Sequence, residues 1–178
     1  MTIDEITDYI EGLGGVLTLA PQRGDSTPEI SWGDRFFYYA PSGEVPKAQP
    51  FATIVTKDYP DDRGSRLDRP NTFRVNVAAD AVEFEQLTGE QLTGDQLTRD
   101  QLTGAKAGTL DGSSDPAIAD PAIADVVIAH PVYGSLKWVA IVNPGAKTST
   151  ILRSLLRASH GRARDRVERR AGVGGAEV

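Results

Sequence analysis

The sequence predicts an α+β fold: a single two-layer domain with an antiparallel sheet of about five strands, an N-terminal helix, and a long C-terminal helix packed on the sheet. Three observations carry that expectation. Helical periodicity is confined to the two ends of the chain, aromatic and β-branched runs fill the stretch between, and the connections between those runs lack room for βαβ crossover helices. A chain of 178 residues at 39% hydrophobic content is long enough for one core of ordinary size.

Thr2 and Glu5 have capping-box spacing, and Ile3, Ile6, Ile10 and Leu13 recur at helical intervals, which predicts a helix over 3–13 ended by Gly14-Gly15. Val16 to Ala20 reads as a strand stopped by Pro21, and the aromatic run Phe36 to Ala40 as another, ended by Pro41-Ser42-Gly43. Phe51 to Thr56 and Thr72 to Val77 are the next strands, separated by a segment from Lys57 to Gly64 too polar to be core. Residues 86–124 are different in kind. Gln-Leu-Thr recurs every five residues from Gln86, Gln91, Gln96 and Gln101, and Asp115 to Ala119 is copied at Asp120 to Ala124. This low-complexity insertion reads as a flexible loop or frayed helical turns. A pentapeptide β-helix is the alternative, but four copies make about one coil and a solenoid needs several.

Beyond the insertion, Val126 to Ala129 is a short apolar run and Lys137 to Val142 a strand, turned by Asn143-Pro144-Gly145. Thr148 or Ser149 caps the final helix, in which Ile151, Leu152, Leu155, Leu156, Ser159, Ala163 and Val167 share one face. Arg153, Arg157, His160 and Arg164 fall along another, and Gly161 is a place for a kink. The domain is expected to span 1–170, with 171–178 a disordered tail.

Composition excludes several classes of function. No cysteine is present, which removes disulfides, thiolate nucleophiles and Cys-ligated metals. The first residues lack the basic start and apolar run of a signal peptide, and no stretch approaches the roughly 20 apolar residues that cross a bilayer, so a cytoplasmic protein without a membrane partner is expected. The formal charge of −6 is unevenly spread. Residues 1–85 hold 8 basic against 15 acidic side chains and residues 126–178 hold 9 against 3, so the basic charge sits at the C-terminal end. A basic helix can hold a polyanion, but the acidic body repels phosphate backbones at long range, which makes nucleic acid the less favoured partner.

Catalytic signatures are incomplete. In a comparison of the 141–148 turn with a phosphate-binding loop, Ile141 and Ala146 occupy both glycine positions, leaving only a helix start where Lys147 and Thr148 could hold one anionic group. No histidine–carboxylate spacing points to a metal and no cofactor is implied. The denser cluster is His130-Pro131-Val132-Tyr133-Gly134 with Trp138. Proline restrains His130 to an extended backbone, and Arg74 and Asn76 share one face of a strand whose other face carries Phe73, Val75 and Val77. Two readings stand: Trp138 packs in the core while His130 caps a turn, or Arg74, Asn76, His130, Tyr133 and Trp138 line a common pocket.

These residues also carry a resemblance. Trp32-Gly33-Asp34, Pro50 to Val55, Phe73-Arg74-Val75-Asn76-Val77, the His130 to Gly134 turn, Trp138 to Gly145, and Leu155 to His160 resemble an actinobacterial family known only as a domain of unknown function, of the 6194 type. The resemblance covers most of 1–170 outside the repeats and implies a fold without an activity. A fainter similarity is to MmcQ/YjbR-like domains, which implies nucleic-acid contact or small-molecule sequestration. The expected function is a non-catalytic small-molecule or anion-binding module. Alternatives are nucleic-acid or polyanion binding through Arg153, Arg157, Arg162, Arg164 and Arg166, or an enzyme using His130 as general base.

Overall fold

Alternation along the central strands sets the architecture. The computed structural model describes residues 1–89 and 120–174, with side chains as far as residue 170. Helix α1 (Ile3–Glu11) starts at Thr2 with a full capping box: the Glu5 N–H donates to the Thr2 hydroxyl, and the Thr2 N–H to the Glu5 carboxylate. Strands β1 (Val16–Leu19), β2 (Arg35–Tyr39), β3 (Ala52–Val55), β4 (Arg74–Ala78), β5 (Val127–Ala129) and β6 (Trp138–Val142) form one antiparallel sheet in the order β1-β2-β3-β4-β6-β5. The sheet therefore has six strands rather than five. The extra one is the run at Val127, whose three residues are too few to show a period in the sequence.

One face of the sheet is the core. Phe37, Ile54, Val75, Val77, Val139 and Ile141 point to it and meet Ile6 and Ile10 of α1 and Leu152, Leu155 and Leu156 of the C-terminal helix. Each such side chain, fully buried, contributes on the order of 1.5–3 kcal/mol. That helix, α3 (Ser149–Gly174), runs without a break through Gly161. The Ser159 hydroxyl donates to the Phe51 carbonyl at 3.0 Å, tying the helix to the start of β3.

His160 is on the core side of α3, not on the arginine stripe. It is 6% exposed, donates from Nε2 to the Gly14 carbonyl at 2.8 Å, and stands edge-on to Tyr39 and Phe51. Spacing explains the correction. His160 follows Leu156 by four residues and Leu152 by eight, which returns it to the leucine face, whereas Ile151 at the margin of that face is 38% exposed.

Residues 81–89 form a further helix, α2. Asp80 and Glu83 close a reciprocal cap at its start, each side chain accepting from the other's backbone N–H. Phe84 and Leu87 of α2 pack against the core, so the first repeat unit, from Gln86, lies within this helix. The remaining Gln-Leu-Thr units and Asp115 to Ala119 lie outside the described residues; of the expected tail, 171–174 instead continue α3, and 175–178 lie outside the described residues. No described helix is long and apolar enough to cross a membrane.

Candidate functional site

The second face of the sheet carries the even positions of β4. Thr53 of β3 lies opposite Asn76 of β4, which lies opposite Ala140 of β6, so a partly polar row crosses the sheet where the first face is apolar. Two segments cover this row. One is the connection from β3 to β4, closed locally by a bridge between Tyr59 and Asp62, with Leu67 packed on Val55 and Val142. The other is the β5–β6 turn from His130, which ends in a left-handed Lys137. Between them is a cavity of about 460 Å³.

All five residues expected at a pocket line this cavity. Arg74, Asn76 and His130 are almost fully buried, Trp138 is half-buried, and Tyr133 is exposed at the rim. Both readings of the 130–138 cluster hold in part. His130 caps its own turn, with the Val132 and Tyr133 N–H groups each 3.1 Å from Nδ1, and also lines the cavity.

A buried guanidinium needs a partner for every donor. Arg74 donates from Nε to Asn76 Oδ1 at 2.8 Å, from Nη1 to Asp62 Oδ1 at 3.0 Å and Ser65 Oγ at 2.7 Å, and from Nη2 to Asp62 Oδ2, with His130 Nε2 3.0 Å away. Four of its five N–H groups have definite acceptors, and the fifth faces His130 Nε2, which accepts it in one tautomer of the ring. Burial pulls the Asp62 carboxyl upward, but the hydrogen bond and charge of Arg74, helped by His130, hold it below the usual carboxylate range.

His130 is pressed by donors on both sides. The tautomer in which Nε2 accepts from Arg74 and the one in which Nδ1 accepts from the turn exclude each other, so the neutral ring satisfies one side at a time. A second ring proton has only Asp62, 3.8 Å from Nε2, to meet it. Burial first and the Arg74 charge second push the pKa down to about 4, against the weaker upward pull of Asp62. Whichever tautomer is present, the accepting nitrogen is occupied.

Asp62, Ser65 and Tyr59, which no sequence signal marks, complete the site's surroundings together with Asp34 of the Trp32-Gly33-Asp34 stretch. Asp34 is fully buried and accepts from the Thr56 N–H at 2.8 Å, the Thr56 hydroxyl at 3.0 Å and the Tyr59 hydroxyl. Burial, that hydrogen bond, the Asp34 charge and Tyr133 raise the Tyr59 phenol well above its usual value, so it stays protonated. Its ring lines the cavity while its hydroxyl is committed to Asp34.

The helix start at Lys147 and Thr148 holds an anion supplied by the chain itself. Asp125, held at φ 60, accepts on Oδ1 from the Gly145 N–H at 2.7 Å, the Thr148 N–H at 3.0 Å and the Thr148 hydroxyl at 2.6 Å, and on Oδ2 from the Lys147 N–H at 3.0 Å. Burial opposes ionisation, but these four donors outweigh it and bring the pKa down to about 2. A Cβ on Gly145 would lie 2.7 Å from Asp125 Oδ2, so glycine is what lets the carboxylate dock. Gly145→Ala and Asp125→Ala are both expected to cost about 1 kcal/mol, the ordinary value of a helix cap. Because the folded pKa is depressed, the carboxylate's contribution is present above about pH 4 and lost as the pH falls toward 2. Acid unfolding followed by circular dichroism checks this: Asp125→Asn keeps one acceptor oxygen and is expected to flatten the decline in that window.

The arginines of α3 contact the body of the protein. The Arg153 guanidinium sits 4.8 Å from the Tyr9 ring centroid, Arg157 donates to the Tyr9 hydroxyl at 3.4 Å, and Arg162 pairs with Asp80 and Glu83. Arg164 pairs with Asp165 and Glu168 on its own helix. Among the described residues, no group of three or more His, Cys, Asp or Glu side chains is placed to hold a metal ion.

Fold and site together define an α+β domain with helices on one face of an antiparallel sheet and a covered, polar-floored cavity on the other. The chain belongs to a family of unknown function, DUF6194, whose model matches residues 1–172. Neither the curated proteins nor the solved structures compared with it include a match.

Proposed function

We propose that this domain is a non-catalytic small-molecule-binding module and that the cavity on the second face of the sheet is its site. The observation that carries the reading is the cavity itself: about 460 Å³, within the range of small-molecule sites, with a polar floor already satisfied by its own hydrogen bonds. Phe36, Tyr38, Tyr59, Tyr133 and Trp138 give its walls an aromatic character. Val132 and Leu136 extend that apolar surface onto the exposed rim, where they are 41% and 60% exposed. Such walls fit an organic molecule that stacks and excludes water.

The same floor argues against two competing readings. An anion needs free donors, and Arg74 spends four of its five on Asn76, Asp62 and Ser65 and turns the fifth toward the buried His130 ring. A general base needs a lone pair turned to its substrate, and that of His130 is engaged by Arg74 or by the turn. Polyanion binding along α3 is weakened in the same way, since Arg153, Arg157 and Arg162 are held by Tyr9, Asp80 and Glu83.

A fragment screen by protein-observed NMR tests the proposal. Aromatic fragments are expected to shift the Trp138 indole, Asn76 side-chain amide and Tyr133 backbone signals together. Trp138→Ala, checked for folding by circular dichroism, is expected to weaken the hits at least tenfold. An empty screen, or hits mapping away from those residues, removes the reading.

A further inference from the structure

We propose that the occupant of this cavity is an organic cation of the alkylated ammonium type. The inference rests on the binding role argued above and names the charge that the site selects. Three independent features of the cavity wall point the same way.

The first is its charge inventory. Among the described residues, the ionised side chains on the lining are Asp61, Asp62 and Arg74. Arg74 and Asp62 neutralise each other through a two-pronged contact, which leaves Asp61 as the surplus charge. Asp61 is exposed and has no hydrogen bond or ion pair with any described residue. The cavity therefore has a net negative field, strengthened by low-dielectric walls.

The second is the state of its neutral groups. Tyr59 remains an uncharged phenol with its hydroxyl tied to Asp34, and the environment of His130 disfavours the imidazolium, so no positive charge from His130 offsets Asp61. An anion entering this space would face an unpaired carboxylate and a guanidinium whose donors are turned to Asn76, Asp62, Ser65 and the His130 ring. A cation would face the opposite situation.

The third is the wall material. Electron-rich ring faces attract a cation, and an alkylated ammonium, whose charge is spread over methyl groups and weakly hydrated, gains most from such surroundings. Phe36 and Tyr38 come from β2, Tyr59 from the β3–β4 connection, and Tyr133 and Trp138 from the β5–β6 hairpin, so aromatic side chains reach the cavity from separate elements. The carboxylate belongs to the same lining, where it can complement the charge without being part of the aromatic wall.

An isosteric pair separates charge from shape. Choline and 3,3-dimethylbutan-1-ol have the same outline and differ in the ammonium; each is titrated into the full-length protein and followed at the Trp138 indole signal by NMR, with phenyl phosphate as the anionic probe. Choline is expected to bind at least tenfold more tightly than the alcohol. Asp61→Asn, an exposed substitution whose thermal unfolding is expected to match the parent's, is expected to lower choline affinity about three- to fivefold without altering that of the alcohol. Equal affinity for choline and the alcohol overturns the cation assignment while leaving small-molecule binding standing, as does tighter binding of phenyl phosphate. Binding of other uncharged fragments at the Trp138 site, with none of choline, has the same meaning. A cavity that binds no fragment of any charge overturns the binding role itself.

Discussion

Asp62→Ala is expected to destabilise the fold by roughly 3–5 kcal/mol, the usual cost of removing one member of a buried ion pair. Arg74 and Asp62 have side chains 2% and 12% exposed, so the guanidinium left behind cannot recover its hydration without opening the loop above it. Three of its neighbours would remain, but Asn76, Ser65 and His130 are neutral and compensate hydrogen bonds rather than charge. Removing both charges is a different experiment. Asp62→Leu combined with Arg74→Met is expected to be more stable than Asp62→Ala alone by at least about 1 kcal/mol, because the penalty lies in the unpaired charge more than in the lost attraction. Urea unfolding of Asp62→Leu, Arg74→Met and their combination, beside Asp62→Ala, measures the coupling. A loss below about 1 kcal/mol for Asp62→Ala would show that water reaches Arg74 and that the floor of the cavity is not closed.

The half of this site that was legible in the sequence is the half that sits on regular structure. Arg74 and Asn76 alternate with Phe73, Val75 and Val77, and a period of two assigns them to one face without any knowledge of the neighbouring strands. His130 and Trp138 flank a turn whose Pro131 and Gly134 mark it as a turn, and antiparallel pairing of β5 with β6 brings the two ends together: the His130 N–H donates to the Trp138 carbonyl at 2.9 Å. The N-terminal helix was equally readable, since a capping box is local chemistry and the structure contains it complete.

What escaped was whatever depends on irregular chain. Asp62 reaches Arg74 from a loop with no period to count, although a lone arginine between Phe73 and Val75 in a central strand is itself a demand for a nearby carboxylate. Asp125 caps α3 from more than twenty residues upstream, whereas a cap is sought in sequence just before the first helical turn. The start of α2 carries a local signal, Asp80 three residues before Glu83, but the helix runs on into the first repeat unit at Gln86, where five-residue repetition hides its period. His160 was misplaced by grouping it with arginines of similar polarity. Its helical angle, four residues after Leu156, already put it against the sheet.

Stability is expected to fall by about 3 kcal/mol between pH 6.5 and pH 4 because of one residue, His130. Its folded pKa of about 4 lies below the ordinary 6.5, so over that interval the unfolded chain takes up a proton that the folded chain refuses, and acidification favours unfolding. Below about pH 4 the folded ring also protonates and this contribution stops growing. The groups that face the imidazole come from three elements: Arg74 on β4, Asp62 in the β3–β4 connection, and the Tyr133 ring of its own turn, 4.9 Å between centroids. The depressed carboxyls of Asp62 and Asp125 act in a lower window, since their stabilisation persists until the pH falls below the normal carboxylate range. His130→Asn separates the two. Its side-chain oxygen can still accept from the Val132 and Tyr133 N–H groups, so the turn keeps its cap, while the titrating ring is gone. Urea midpoints of the variant are expected to be nearly level from pH 6.5 to 4 and to decline only below that, whereas those of the parent protein decline throughout. If parent and variant lose stability in parallel above pH 4, the imidazole is not held neutral by its surroundings, and the donors around it are hydrated in solution.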